Sequence, residues 1–204
     1  MLRLIEKDIR FNWKWALLMV LIAVAMPLVL YMDREETRVT LFVYIIGGVL
    51  ANSHFVSKAC YQDDGAQTRR FLASLPVRRA WLVLSKYLLG LLCLAVTITL
   101  TSTLSLALGL RPSVQGALIA AVYLLLYYAV FLGVYFRTDY SGAEKANATF
   151  MMLTVASAFV IDRSGGRLDE MVINPLAMLT GVGLCGLIFA MSMILSLQAV
   201  GSRD

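Results

Sequence analysis

Residues 81–110 form a run of thirty residues with one charge, Lys86, and no proline. As a helix rising 1.5 Å per residue, such a run is about 45 Å long, against about 30 Å for the hydrocarbon core of a bilayer. Lipid offers backbone N–H and C=O groups no partners, so a chain with such a run crosses as a helix that bonds internally. This helix must also tilt, kink or project into the cytoplasm. Five further apolar runs accompany it. The spacing predicts an all-α integral membrane protein, one transmembrane domain over 1–204 with six transmembrane helices. The spans fall at about 13–31, 39–59, 81–110, 115–136, 148–161 and 175–200. The fifth is short for a crossing, so it must borrow flanking residues or be broken.

Composition supports the class. Of 204 residues 60% are hydrophobic and 15% charged, where a soluble domain carries about a quarter charged. The net charge of +5 reads as membrane topology rather than affinity for nucleic acid. Six spans place both termini on one side. With that side cytoplasmic, five of the eighteen Lys and Arg residues lie outside: Arg34, Arg38, Arg111, Arg163 and Arg167. The other thirteen lie inside, which sets the orientation: an inner-membrane, multi-pass protein with both termini cytoplasmic. Residues 1–14 form an amphipathic pattern, with Leu2, Ile5, Ile9 and Trp13 on one face and Arg3, Lys7, Arg10 and Lys14 on another. This is an N-terminal interfacial helix or a plain positive flank. Ala23-Val24-Ala25 imitates a signal-peptidase site, but the apolar run continues to Leu30 with Pro27 beyond it. An uncleaved anchor is expected. Cys60, Cys93 and Cys185 lack metal or redox spacing and read as packing residues.

The longest polar interruption lies at 60–89. Asp63 or Asp64 can cap a helix there, with Gln67 reaching back as in a capping box, and Pro76 stops it. Arg69 and Arg70 suit the negative end of the helix dipole. About ten residues are marginal as a helix in water. Phe71, Leu72 and Leu75 therefore need a surface, either headgroups or a protein. The run FLASLPVRRAWLVLSKYL, Phe71 to Leu88, resembles a Leu-x-Ser-Leu-Pro-Val-x-Arg, then Val-x-Ser-Lys-Tyr pattern. That pattern is found in small permease subunits of bacterial type-2 ATP-binding-cassette exporters. Gly142 to Ala146 resembles the Gly-x-Glu-Lys-Ala segment between their fourth and fifth spans, and Leu4 to Arg10 is a weaker match.

The resemblance implies a cytoplasmic coupling helix between spans two and three, at about 64–74, docking on a separate ATPase. Its contacts would be Asp64, Gln67, Arg69, Arg70, Phe71 and Leu72, with Glu144 and Lys145 from the second cytoplasmic loop. From the residues alone, Glu144 and Lys145 are equally a solvated ion pair. The resemblance also implies a second permease copy or paralogue, and ATP and Mg bound by the ATPase rather than by this chain. The loop between spans five and six is shorter and more polar than the re-entrant helices of larger relatives.

No catalytic constellation emerges, and no Gly-rich phosphate loop, so the chain is not the ATPase and has no cofactor of its own. His54, beside Asn52 and Ser53, reads as a packing residue rather than a proton relay. Gly47-Gly48 and Gly181-Val182-Gly183, with Gly186, read as close-packing positions. The span centres carry no Asp, Glu, Lys or Arg, so energy for transport must come from outside. Two features can line a pathway or simply pack: the stripe Thr97, Thr101 and Ser105, and the ridge Tyr123, Tyr127, Phe131 and Tyr135. The expected activity is export of an amphipathic or hydrophobic cargo such as a peptide toxin, antimicrobial peptide, lipid or drug. The competing expectation is a membrane scaffold or sensor whose first loop recruits a regulator.

Overall fold

The computed structural model describes residues 2–32, 38–39, 41–65, 68, 78–163 and 175–201. Among these the chain forms seven helices: α1 (Leu2–Phe11), α2 (Trp13–Met32), α3 (Leu41–Asp64), α4 (Arg79–Ala107), α5 (Val114–Arg137), α6 (Tyr140–Arg163) and α7 (Pro175–Gly201). Three described stretches are long and apolar enough to cross a membrane: Arg79–Ala107, Val114–Arg137 and Thr180–Gly201. Arg3–Phe11 with Trp13–Val29, bent by 80°, adds a fourth if it is one span.

Two boundaries differ from expectation. The fifth apolar run, expected at 148–161, is the later part of α6, which starts at Tyr140. The helix borrows the eight residues that were assigned to a loop, so Gly142, Glu144 and Lys145 sit on its first turns. The run expected to end at 59 continues as helix to Asp64, so Asp63 and Asp64 lie on the last turn of α3; the helix they were expected to cap lies outside the described residues. On α1, Ile5 and Asp8 are buried, as is Asn12 just beyond it, while Ile9 and, at the start of α2, Trp13 are 37% and 58% exposed. The expected apolar stripe therefore faces partly outward, and a polar edge meets the bundle.

Local chemistry accounts for the breaks. Asn12 ends α1 and opens α2: its amide N–H donates to the Asp8 carbonyl, while its own carbonyl accepts from Trp15 and Ala16 N–H. Pro27 inside α2 cannot donate to the carbonyl four residues back. That carbonyl, on Ala23, accepts a long bond of 3.5 Å from Thr101 Oγ1 of α4, the way a neighbouring helix satisfies a proline-freed group in lipid. α4 closes in a Schellman turn, with Leu110 N–H on Ser105 O, Gly109 N–H on Leu106 O and Gly109 at φ 75°. Ser113 then caps α5 through Gly116 N–H at 3.0 Å. At this end Arg38–Val39 (β1) and Arg111–Pro112 (β2) form a two-residue parallel bridge.

The core lies among α3, α4 and α5, with Phe55, Val56, Val83, Tyr87, Leu89, Leu124, Tyr127, Tyr128, Phe131 and Leu132 fully enclosed. Gly47 and Gly48 are close-packing positions: a Cβ would meet Met26 Cγ at 3.2 Å and Leu124 Cδ1 at 3.0 Å. Among the described residues, a Cβ on Gly181, Gly183 or Gly186 meets nothing within 4 Å. The contact between α5 and α7 is the most extensive. At its closest point a Cβ on Gly133 would lie 2.7 Å from Ser192 Oγ. Ser192 cannot swing away freely, because its hydroxyl bonds Ala129 O at 2.5 Å and Tyr87 Oη at 2.8 Å. Gly133→Ala is therefore expected to destabilise the protein in detergent by about 1–3 kcal/mol, the usual cost of overpacking. Gly133→Ala/Ser192→Ala should recover part of that loss. A Gly133→Ala variant as stable as wild type in thermal unfolding would show that the helices do not approach this closely.

Candidate functional site

A lysine inside an apolar helix must find counter-charge or leave the low-dielectric region. Lys86, on the second turn of α4, is 3% exposed and finds two carboxylates. Its Nζ lies 2.8 Å from Asp8 Oδ2 of α1 and 2.6 Å from Asp63 Oδ2 of α3. A third bond reaches the Ala59 carbonyl at 3.1 Å, so all three ammonium hydrogens have acceptors. Lys7 closes the other side, 2.6 Å from Asp63 Oδ1 and 3.2 Å from Asp8 Oδ1. Two lysines and two aspartates thus form a neutral ring. Asn12 Nδ2 adds a neutral tie from the α1–α2 turn to Gln62 Oε1 of α3 at 3.1 Å.

The sequence reading missed this ring. Asp63 appeared there only as a cap, Lys86 only as a topology charge, and Asp8 not at all. The available signal was the single cation within the run 81–110, whose helix position requires an anion from another element.

Beside the ring, α3 and α6 frame an open cleft of about 570 Å³ lined by Lys58, Tyr61, Asp64, Asp139, Tyr140 and Glu144, among others. Asp64 Oδ2 accepts from Tyr140 N–H at 3.4 Å, and Ser57 Oγ pairs with Tyr140 Oη at 2.9 Å. Two of the residues expected to dock a partner, Asp64 and Glu144, thus share one cleft although eighty positions separate them. Lys145, the next residue of α6, is exposed. Gln67, Arg69, Arg70, Phe71 and Leu72 lie outside the described residues. Lys58 Nζ stands 5.5 Å from the Trp15 ring centroid and 5.2 Å from that of Tyr61, and His54 meets Trp15 edge-on at 5.9 Å. His54 is exposed beside that ring.

The residues that can line a pathway are engaged between helices. Thr97, Thr101 and Ser105 are all buried. Thr97 Oγ1 accepts from Asn52 Nδ2 at 3.0 Å, and Ser105 Oγ donates to Thr101 O at 2.6 Å. On the opposite face Thr99 and Thr103 bond back to their own helix. Tyr123 Oη meets Thr154 Oγ1 at 2.7 Å, Tyr127 Oη donates to Asn147 Oδ1 at 3.0 Å, and Phe131 stacks on Tyr127 at 5.7 Å. Tyr123 and Tyr127 thus seam α5 to α6, while Tyr135 Oη donates to Cys60 O of α3 at 3.3 Å.

Asp63 lies beyond the stretch expected to cross, at the polar end of α3. Burial pushes its carboxyl up, but the Lys86 charge and the Lys7 and Lys86 hydrogen bonds outweigh that and hold it below its ordinary 3.8. The stability contributed by ionised Asp63 is therefore complete above 3.8 and is lost as pH falls through the lower folded value. Thermal unfolding in detergent should be nearly flat in this contribution from pH 7 to about 5 and drop below about 4. Asp63→Asn should cost about 3 kcal/mol at pH 7, as for one partner removed from a buried pair, and flatten the acid limb. Parallel acid limbs in the two proteins would refute the assignment.

In a comparison with known proteins, residues 3–200 match the family described as ABC-2 family transporter protein. No curated protein and no solved structure matches the chain. The family spans every helix described above, including the N-terminal helix with Asp8 and the helix start with Lys86. This chain is a membrane protein of the ABC-2 transporter family.

Proposed function

We propose that the chain is the permease subunit of an ATP-binding-cassette exporter, driven by a separate ATPase that binds ATP and Mg. Family membership over nearly the whole length supports a transporter permease, and the sequence holds no phosphate loop, so the ATPase is another chain. The observation that carries the reading is the shared cleft, where Asp64 at the head of the first loop and Glu144 at the start of α6 offer one continuous surface. Both belong to the segments that the family resemblance assigns to ATPase docking. The resemblance adds Gln67, Arg69, Arg70, Phe71 and Leu72 of the first loop to the docking set, and Lys145 of α6.

In this reading α2 to α7 make six crossings with both termini in the cytoplasm of a bacterial inner membrane, and a second permease copy completes the transporter. ATP closes the ATPase dimer, the first loops move with it, and the permease halves rock between inward and outward openings. The six residues from Thr97 to Phe131 named above are held in helix contacts here. They line a passage only when α4 and α5 part from their neighbours. The scarcity of charge along the spans suits an amphipathic or hydrophobic cargo, such as a peptide toxin, antimicrobial peptide, lipid or drug.

Co-purification with a candidate ATP-binding-cassette ATPase, with the ATPase rate measured alone and in complex, tests the reading. A stoichiometric complex with an altered rate is expected. Arg70→Glu/Phe71→Ala should weaken it tenfold or more, the loss typical of an aromatic and arginine hot spot. No ATPase binding, or binding indifferent to the double substitution, would favour a scaffold.

A further inference from the structure

The helices that enter and leave the first loop, α3 and α4, are joined near their loop ends by the same residue that holds α1. Lys86 bonds Asp63 at the end of α3 and Asp8 in α1, and Lys7 of α1 bonds Asp63 from the other side. The lysine and both aspartates are nearly sealed, with side-chain exposures of 3% for Lys86, 3% for Asp8 and 9% for Asp63. A buried ion set is weak evidence for stability, because apolar side chains of similar volume hold helices as well. What it supplies is register. Apolar contacts can slide, whereas none of these three charges can shift by a turn without leaving an unpaired charge in the interior. The ring therefore binds three elements into one body, and that body includes both stems of the first loop.

The third element has a direct route onward. α1 passes through Asn12 and an 80° bend into α2, and α2 touches α4 again where Thr101 reaches the Ala23 carbonyl freed by Pro27. We propose that α1 is a strap in the coupling machinery. The Lys7–Asp8–Lys86–Asp63 ring makes α1 move with the loop stems, and α1 passes that displacement through its elbow to α2. Asp8, Lys7, Asp63 and Lys86 are positioning residues, acting on α2 through α1 without touching cargo or nucleotide. This inference rests on the ATPase-driven reading above.

The test uses the full chain, alone and with its ATPase. Lys7→Gln/Asp8→Asn removes both charges from α1 but leaves Lys86 paired with Asp63 and bonded to Ala59 O, so the stems stay joined. In the protein alone, amide hydrogen exchange over residues 2–12 should accelerate at least tenfold, with 79–107 unchanged; unaltered exchange over 2–12 overturns the clamp. In the complex, the variant should still co-purify with the ATPase, while the permease-dependent change in ATPase rate falls at least fivefold. A freed α1 with that change intact overturns the strap. Asp8→Glu, which keeps the charge, should retain at least half of the wild-type change. If wild type binds no ATPase, the strap falls together with the permease reading, and the exchange experiment still decides whether the ring clamps α1.

Discussion

The placement of Lys86 conditions much of the rest. An ammonium held 3% exposed loses several kcal/mol of hydration, and only close, oriented carboxylates make that burial tolerable. One carboxylate comes from α3, which runs antiparallel beside α4, and the other from a helix that must be brought in from outside the bundle. That requirement explains why α1 does not simply continue α2. A straight extension from Trp13 would carry Asp8 away along the helix axis, whereas the break at Asn12 and the 80° bend bring it to Lys86. It also explains the rotation of α1, whose Ile9 is left 37% exposed so that Asp8 can be buried.

Away from the ring, the helices are joined by single hydroxyls and amides. This is expected where lipid removes most of the hydrophobic drive for helix association, leaving packing and polar contacts to supply it. Asn52 with Thr97 joins α3 to α4, Tyr87 with Ser192 and Ser196 joins α4 to α7, and Tyr123 with Thr154 joins α5 to α6. Small residues then let backbones approach, as Gly133 does beside Ser192 and Gly90 beside the Tyr128 ring, where a Cβ would sit at 3.3 Å.

Much of this architecture is legible in the chain because lipid imposes strong rules. The long apolar runs place α4 and α5 to within a few residues, and Gly109 followed by Ser113 marks the turn between them. Legibility fails where a tertiary partner decides. Helical periodicity gives α1 an apolar face, yet ion pairing rotates that face outward, because a buried Lys86 is costlier than an exposed Ile9. The start of α6 was hidden because Ser141, Glu144 and Lys145 look like loop residues, although they can sit on a helix that projects beyond the apolar layer. Gly186 and Ala190 share the spacing of Gly47 and Ala51, but spacing does not say whether a neighbour is present. Gly47 meets Met26, while Gly186 meets nothing within 4 Å. The residues that the resemblance assigns to coupling, Arg69 to Leu72, lie outside the described residues; what the fold brings together is Asp64 and Glu144, on one cleft.

The two kinds of polar contact also differ in what they permit. A neutral hydroxyl bond contributes about 1 kcal/mol net and can be exchanged for another hydroxyl or a backbone carbonyl on the same helix. Ser196 already does both, accepting or donating with Tyr87 while bonding Ser192 O at 2.8 Å. Breaking the ring instead strands a buried charge, at about 3–5 kcal/mol. A rearrangement of the bundle therefore costs least where α4 and α5 meet α6 and α7 through hydroxyls, and most where α1, α3 and α4 meet through ions. Motion imposed near the first loop is thus expected to carry those three ends together and to be taken up at the hydroxyl seams. The seams hold Thr154, Asn147 and Ser192 against the tyrosines of α4 and α5.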